Sequence, residues 1–252
     1  MMSDISIVCQ QAKRAWIIAR KDIRIYYSKG PVVIFGILFP VFLFLSFAVG
    51  RNLSFEFLIP GLLGMVLFFT ATSISPAVAP WEAQARTLER LMSSPLKSYT
   101  IILGDIIASF VYGVLISIIP VLAGLGLDIK IYHPGVLVLG IILAGFCFSS
   151  LGSIFSAAPS SMPSTIMMIS AMVKFPVVFI SGIFIPLTQL PEWGKIISYI
   201  SPLSYFTDIA RHCFQGQGYF SFKIDLVVLS VFSVLFMVLA VKLHQRTMPK
   251  RI

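Results

Sequence analysis

The chain has 252 residues, 58% of them hydrophobic and 12% charged, with a formal net charge of +9 and a mean hydropathy of +0.95. Soluble domains carry about 25% charged residues, and 19 basic plus 10 acidic side chains cannot cover a water-facing surface of this size. A soluble enzyme is excluded, and the positions of the basic residues report membrane topology rather than nucleic-acid binding.

Before the first apolar run, Ile5, Cys9, Ala12, Trp16, Ala19, Ile23 and Tyr26 recur at spacings of three and four, while Lys13, Arg20, Lys21 and Arg24 lie mostly elsewhere. Residues 1–30 therefore read as an amphipathic helix in the cytoplasmic interface. Six stretches are then long enough to cross about 30 Å of hydrocarbon as helices: about 31–50, 57–79, 106–127, 134–157, 164–187 and 222–241. None alternates with period two, so the expected fold is an all-α polytopic bundle of six transmembrane helices in one domain, residues 1–252. The first run is expected to stay as an uncleaved anchor. Pro40, Pro60, Pro76, Pro120 and Pro176 each remove a backbone donor and can kink their spans. In the fourth span Gly140 and Ala144 stand at the spacing of close helix contact. Cys9, Cys147 and Cys213 cannot form a disulfide framework.

The 80–105 loop predicts a short amphipathic helix from Trp81 to Met92, with Glu82 and Arg86 at i,i+4 and Trp81, Ala85, Leu88 and Met92 on one face, ended by Ser94-Pro95. It docks either on a partner or on the bundle's own cytoplasmic end. Lys174 lies about ten residues into the fifth span. A cation at that depth costs on the order of 2.5–3.5 kcal/mol, so it faces a cavity, a partner or a snorkelling path. Residues 188–221 are too apolar for a free loop, and Trp193, Ile197, Ile200 and Ser204 share a helical face. Two short helices dipping into the outer leaflet are expected there, with Asp208 and Arg211 at i,i+3.

Placing both termini in the cytoplasm puts thirteen basic residues inside and five outside, as the positive-inside rule requires. No catalytic set is apparent: His133, His212 and His244 lie in loops or near span ends, Ser181-Gly182 lacks the nucleophile-elbow pattern, and Gly194-Lys195 lacks the flanking residues of a phosphate loop. The chain is expected to be no enzyme and to bind no cofactor or nucleic acid.

Two segments resemble the permease subunits of ABC-2 type transporters. Arg86-Thr-Leu-Glu-Arg-Leu-Met-Ser-Ser-Pro-Leu96 is similar to that family's cytoplasmic T-L-E stretch. Ser181-Gly-Ile-Phe-Ile-Pro-Leu187, Leu190-Pro-Glu-Trp193 and Ser201-Pro-Leu-Ser-Tyr205 are similar to its external signature. The resemblance implies a half-transporter in the cell membrane that pairs with a second permease chain, as homo- or heterodimer, and recruits two ATP-binding subunits, which hold ATP and Mg. It assigns coupling to those ATPases to Trp16, Arg20, Arg24, Glu82, Arg86, Leu88, Glu89, Leu91 and Met92. It assigns the substrate pathway and gate to Lys174, Phe175, Phe179, Phe184, Pro186, Trp193 and Tyr205.

This chain departs from the family pattern at Arg86, where glycine is frequent, and at Lys174, in a span normally uncharged. The Arg24-to-Pro31 segment differs from polysaccharide-exporting relatives, which favours a drug or lipid exporter. The rival readings are an ion-coupled carrier or channel, for which one midplane lysine is a poor relay, and a membrane scaffold.

Overall fold

The computed structural model describes residues 2–27, 29–49, 53–93, 98–158, 160 and 162–247, without the side chains of 2–9, 31, 88, 89, 92 and 98. In chain order the elements are α1 (Met2–Tyr26), α2 (Gly30–Val33), a π-helical turn (Ile34–Leu38), α3 (Phe39–Ala48), α4 (Phe55–Ser73), α5 (Ser75–Gln84), α6 (Thr87–Ser93), α7 (Ser98–Gly126), α8 (Pro134–Ser156), α9 (Pro163–Ile180), a 3-10 turn (Leu187–Gln189), α10 (Glu192–Ser198), α11 (Pro202–Gln215) and α12 (Phe222–Thr247). Among the described residues there is no strand, as lipid demands of backbone that must satisfy its own hydrogen bonds.

Among the described residues, five stretches are long and apolar enough to cross a membrane: Phe55–Gln84, Tyr99–Gly126, Pro134–Ser156, Pro163–Ile180 and Phe222–Thr247. The first predicted span differs. Its apolar helix is the shorter Ile34–Ala48, although the chain is helical without a break from Gly30 through the π turn. Pro40 accounts for the π turn, because it cannot donate to the preceding turn. The register widens just before it, and Phe39 N–H donates to the Ile34 carbonyl five residues back.

α4 and α5 form the centre: 83% of their most apolar stretch is buried, against 22% for α9 and for α12, whose outer faces remain apolar and bare. Glycines let neighbours close in on this axis. A Cβ on Gly152 of α8 would stand 3.1 Å from Thr72 Cα of α4, and one on Gly140 would stand 2.8 Å from Ile209 of α11. The small residues of α8 are therefore packing residues. Phe68, Phe148 and Phe206 fill the centre edge to face, at 5.1 and 6.2 Å between ring centroids.

Three breaks in the helices depart from expectation. The predicted 57–79 span breaks at Ile74, and Pro76 starts α5 rather than kinking a continuous helix. The predicted 81–92 helix is divided, with Trp81 and Glu82 ending α5 and Thr87 opening α6. Between them Arg86 adopts φ +53°, a left-handed conformation that no α-helix continues through. Its predicted Ser94-Pro95 stop lies outside the described residues. The fifth span ends at Ile180 rather than residue 187, because Gly182 turns the chain at φ +80°.

α1 is helical as expected, but it presents a different face. Ala15, Ile18, Ala19, Asp22 and Tyr26 are buried, whereas Ala12 is exposed and Trp16 is 53% exposed. α1 packs on α7, where Gly104 admits Ile18: a Cβ there would meet the Ile18 side chain at 2.6 Å. This close approach turns Trp16 away from the bundle. The side chains of Ile5 and Cys9 lie outside the described residues.

Candidate functional site

Two groups of side chains stand out, one at the end of the bundle that carries α1 and α6, the other along the inner face of α9. At the first, the Lys21 ammonium donates to the Glu82 carboxylate of α5 and lies 3.1 Å from Asp22. Asp105 of α7 completes the cluster, and Asp22, Glu82 and Asp105 are all buried. Burial pushes the Lys21 ammonium down, but Asp22 and Glu82 outweigh it and hold the group above the usual lysine range. Burial likewise pushes the Asp22 carboxyl up, more than the neighbouring Asp105 and Lys21 side chains draw it down. Tyr26 stacks on Trp81 with centroids 5.5 Å apart, and Lys29 sits over both rings. α1 is thus bolted to both α5 and α7.

The sign of the Asp22 shift gives a pH dependence. A raised carboxyl favours the protonated form in the docked state, so its contribution is complete below the ordinary carboxylate range of about 4 and fades as pH rises through the raised value. Asp22→Asn fixes the neutral form facing Lys21, Glu82, Asp105 and Tyr27. Its melting temperature is expected to exceed that of the unsubstituted protein near pH 8 and to vary less between about pH 5 and about pH 8. A variant that melts lower at every pH would contradict this.

The residues read as ATPase contacts divide. Trp16, Arg20 and Arg24 are exposed at i, i+4 and i+8 of α1, with Arg86 and Arg90 exposed at the same end. Glu82 does not face outward, because Lys21 and burial hold it inside. Leu91 packs inward against the cluster that includes Ile18, Ile101 and Ile106. The side chains of Leu88, Glu89 and Met92 lie outside the described residues. Sequence reasoning missed Lys21, Asp22 and Asp105 as a cluster. The available signal was an acid at position 22 on the amphipathic helix and another at 105 near the end of a span.

The second group surrounds a cavity of about 400 Å³ between the π turn, α3, α4 and α9. Phe35, Phe39, Phe69, Met167, Met168 and Phe175 make its walls apolar, and Lys174 is the one ionisable group among its described lining residues. Lys174 does not snorkel; it is 5% exposed. Its ammonium donates to the Thr72 carbonyl at 2.9 Å and to Ser73 Oγ at 3.4 Å, where α4 ends and its carbonyls lack helical partners. Phe175 packs edge-on to Phe39 at 5.4 Å. Farther along α9 Phe179, and just past its end Phe184, join Phe47, with Phe184 stacked on it at 4.2 Å.

Trp193 and Tyr205 do not join these pathway residues. Trp193 is 64% exposed on α10, and Tyr205 donates to the Tyr199 carbonyl at 2.8 Å and stacks on Phe220. Pro186 leads into the 3-10 turn. Two helices do form in 188–221, but Tyr199–Ser201 separates them, so the predicted shared face is split and Ser204 is buried in α11. Asp208 and Arg211 do not pair with each other. Asp208 accepts from the Tyr219 and Phe220 N–H groups, whereas Arg211 donates to the Gly182 carbonyl and lies 4.5 Å over the Phe57 ring.

Comparison with known proteins places the chain in a family. The profile described as ABC-2 type transporter matches residues 11–214, which include α1 from Gln11 on, the Lys174 cavity and α11 up to Phe214. The chain is 24% identical over 196 residues to the "Probable multidrug ABC transporter permease YbhR" of Escherichia coli (strain K12), covering 73% of this chain and 50% of that protein. It is 25% identical over 192 residues to the "Inner membrane transport permease YadH" of the same organism, covering 76% of this chain and 75% of that protein. The chain thus spans about half the length of the first of these relatives. With the profile matching most of its length and the helical bundle in place, the chain is a multi-pass membrane protein that belongs to the ABC-2 type transporter family.

Proposed function

We propose that this chain is the permease subunit of an ATP-driven exporter that moves an amphipathic or hydrophobic compound across the cell membrane. It pairs with a second permease chain and with two separate ATP-binding subunits, its termini on their side of the membrane. The observation that carries this reading is the bare row Trp16, Arg20 and Arg24 on a helix bolted to the bundle through Lys21 and Glu82. An exposed aromatic with aligned cations suits an interface with a folded partner. Its rigid seat would turn closure of that partner into movement of α5. The name of one relative, a probable multidrug permease, supports the kind of cargo.

The test is gentle co-purification from native membranes. An ATP-binding subunit is expected in near-equal amount with the unsubstituted chain and to be lost with Arg20→Glu/Arg24→Glu, while insertion and melting temperature stay unchanged. Reproducible absence of any ATPase with the intact chain would move the assignment to an ion-coupled carrier.

A further inference from the structure

Lys174 stands in a cavity whose volume, about 400 Å³, falls within the roughly 300–1,000 Å³ of small-molecule sites. An ammonium has three donors, and the Thr72 carbonyl and Ser73 Oγ occupy two. Both of these acceptors are neutral, and among the described residues lining the cavity there is no carboxylate to pair with it. One turn earlier on α9, Ser170 lines the same cavity, is 1% exposed, and has a hydroxyl without a partner. A buried cation lacking a counter-charge, beside an unsatisfied hydroxyl, is an incomplete polar cluster. An anion would complete it. Phe35, Phe39, Phe69 and Met168 then offer hydrocarbon and aromatic surface to the rest of the molecule.

From this arrangement we infer that the cavity binds a single-tailed anionic amphiphile, its head against Lys174 and Ser170 and its tail among the phenylalanines. The inference rests on the exporter reading for its meaning as cargo, but the binding itself does not require an ATPase. Lys174 also caps the end of α4, and a purely structural lysine would show no preference for the charge of a ligand. The same chemistry could come from an anionic membrane lipid, and the choice of bilayer separates the two sources.

The full chain is reconstituted in phosphatidylcholine nanodiscs and titrated with dodecyl phosphate and with neutral dodecanol, using quenching of bound fluorescent analogues as readout. Dodecyl phosphate is expected to bind, and Lys174→Met to weaken it about tenfold or more while leaving dodecanol unchanged. Lys174→Arg should retain most of the anion's affinity. Should Lys174→Met fail to fold, Ala171→Phe fills the cavity with Lys174 kept, and both probes are expected to lose binding. Equal affinity for the two probes, or Lys174→Met and Ala171→Phe variants that bind dodecyl phosphate like the unsubstituted chain, would overturn the inference. So would nanodiscs containing phosphatidylglycerol that abolish dodecyl phosphate binding, since a bilayer lipid would then be the occupant. An absent ATPase with dodecyl phosphate binding intact would sink the exporter reading alone.

Discussion

Asp208→Ala is expected to release the segment that joins α11 to α12 and to lower the melting temperature on the order of 10 °C. Asp208 is 3% exposed, and its two carboxylate oxygens each accept a backbone N–H at 2.7 Å, from Tyr219 and from Phe220. Hydrogen bonds to a charged group contribute about 1.5–3 kcal/mol each, so removing both acceptors costs about 3 kcal/mol or more. For a chain of this length each kcal/mol corresponds to roughly 2–4 °C. The damage spreads because Phe220, positioned by Asp208, stacks on the Tyr205 ring and accepts at its carbonyl from the His212 imidazole at 2.6 Å. Asp208→Asn keeps one acceptor and should fall between the two, a ranking that a simple loss of side-chain volume would not give. Thermal unfolding in detergent, with accessibility of a cysteine placed at Ser221, reads both effects. A melting temperature unchanged in Asp208→Ala would show that Gly216, at φ +73° and closing α11 by itself, suffices to hold the turn.

What local patterns can carry, the sequence carries: long apolar runs become α7, α8 and α12 within a few residues of expectation, apart from an early start of α7 and a late end of α12. The failures share a physical origin, because they depend on contacts between distant positions. The buried face of α1 is chosen by Gly104, more than eighty positions away, which accepts Ile18. No periodicity within residues 1–30 contains that information. The division of the 81–92 helix follows from Arg86 entering the left-handed region, to which arginine has no intrinsic preference. Lys174 is conspicuous from its charge alone, yet its acceptor is a backbone carbonyl at Thr72, exposed only because α4 stops at Ser73. The external segment was legible as helical from its prolines and aromatics, but the partners of Asp208 and Arg211 were not. An i,i+3 spacing permits a pair and does not require one when buried carbonyls and N–H groups compete for the same charges.

Lys21→Met is expected to have the larger consequence for transport. It leaves the carboxyls of Asp22, Glu82 and Asp105 together without their cation. Breaking a buried ion pair costs about 3–5 kcal/mol; Lys21 keeps 31% of its side chain exposed, which reduces the figure to on the order of 2–3 kcal/mol. The loss falls where α1 meets α5 and α7, the elements that carry Glu82 and Asp105. From Glu82 the ten-residue helix α5 runs back to Ser75, and the break at Ile74 separates it from Thr72 and Ser73, the two residues that hold Lys174. α5 therefore connects the face proposed for the ATPase to the wall of the cavity, across the helix break at Ile74. Docking of α1 on α7 can be followed by cross-linking Gln11→Cys to Thr100→Cys with a short bifunctional thiol reagent, since the native side chains are hydrogen bonded at 2.6 Å. Lys21→Met is expected to abolish that cross-link and ATP-dependent transport together. The exchange Lys21→Glu/Glu82→Lys should restore part of both, since it rebuilds one ion pair but sets a second carboxylate beside Asp22. Transport that survives while the cross-link is lost would separate α1 docking from coupling and remove α5 as the transmitting element.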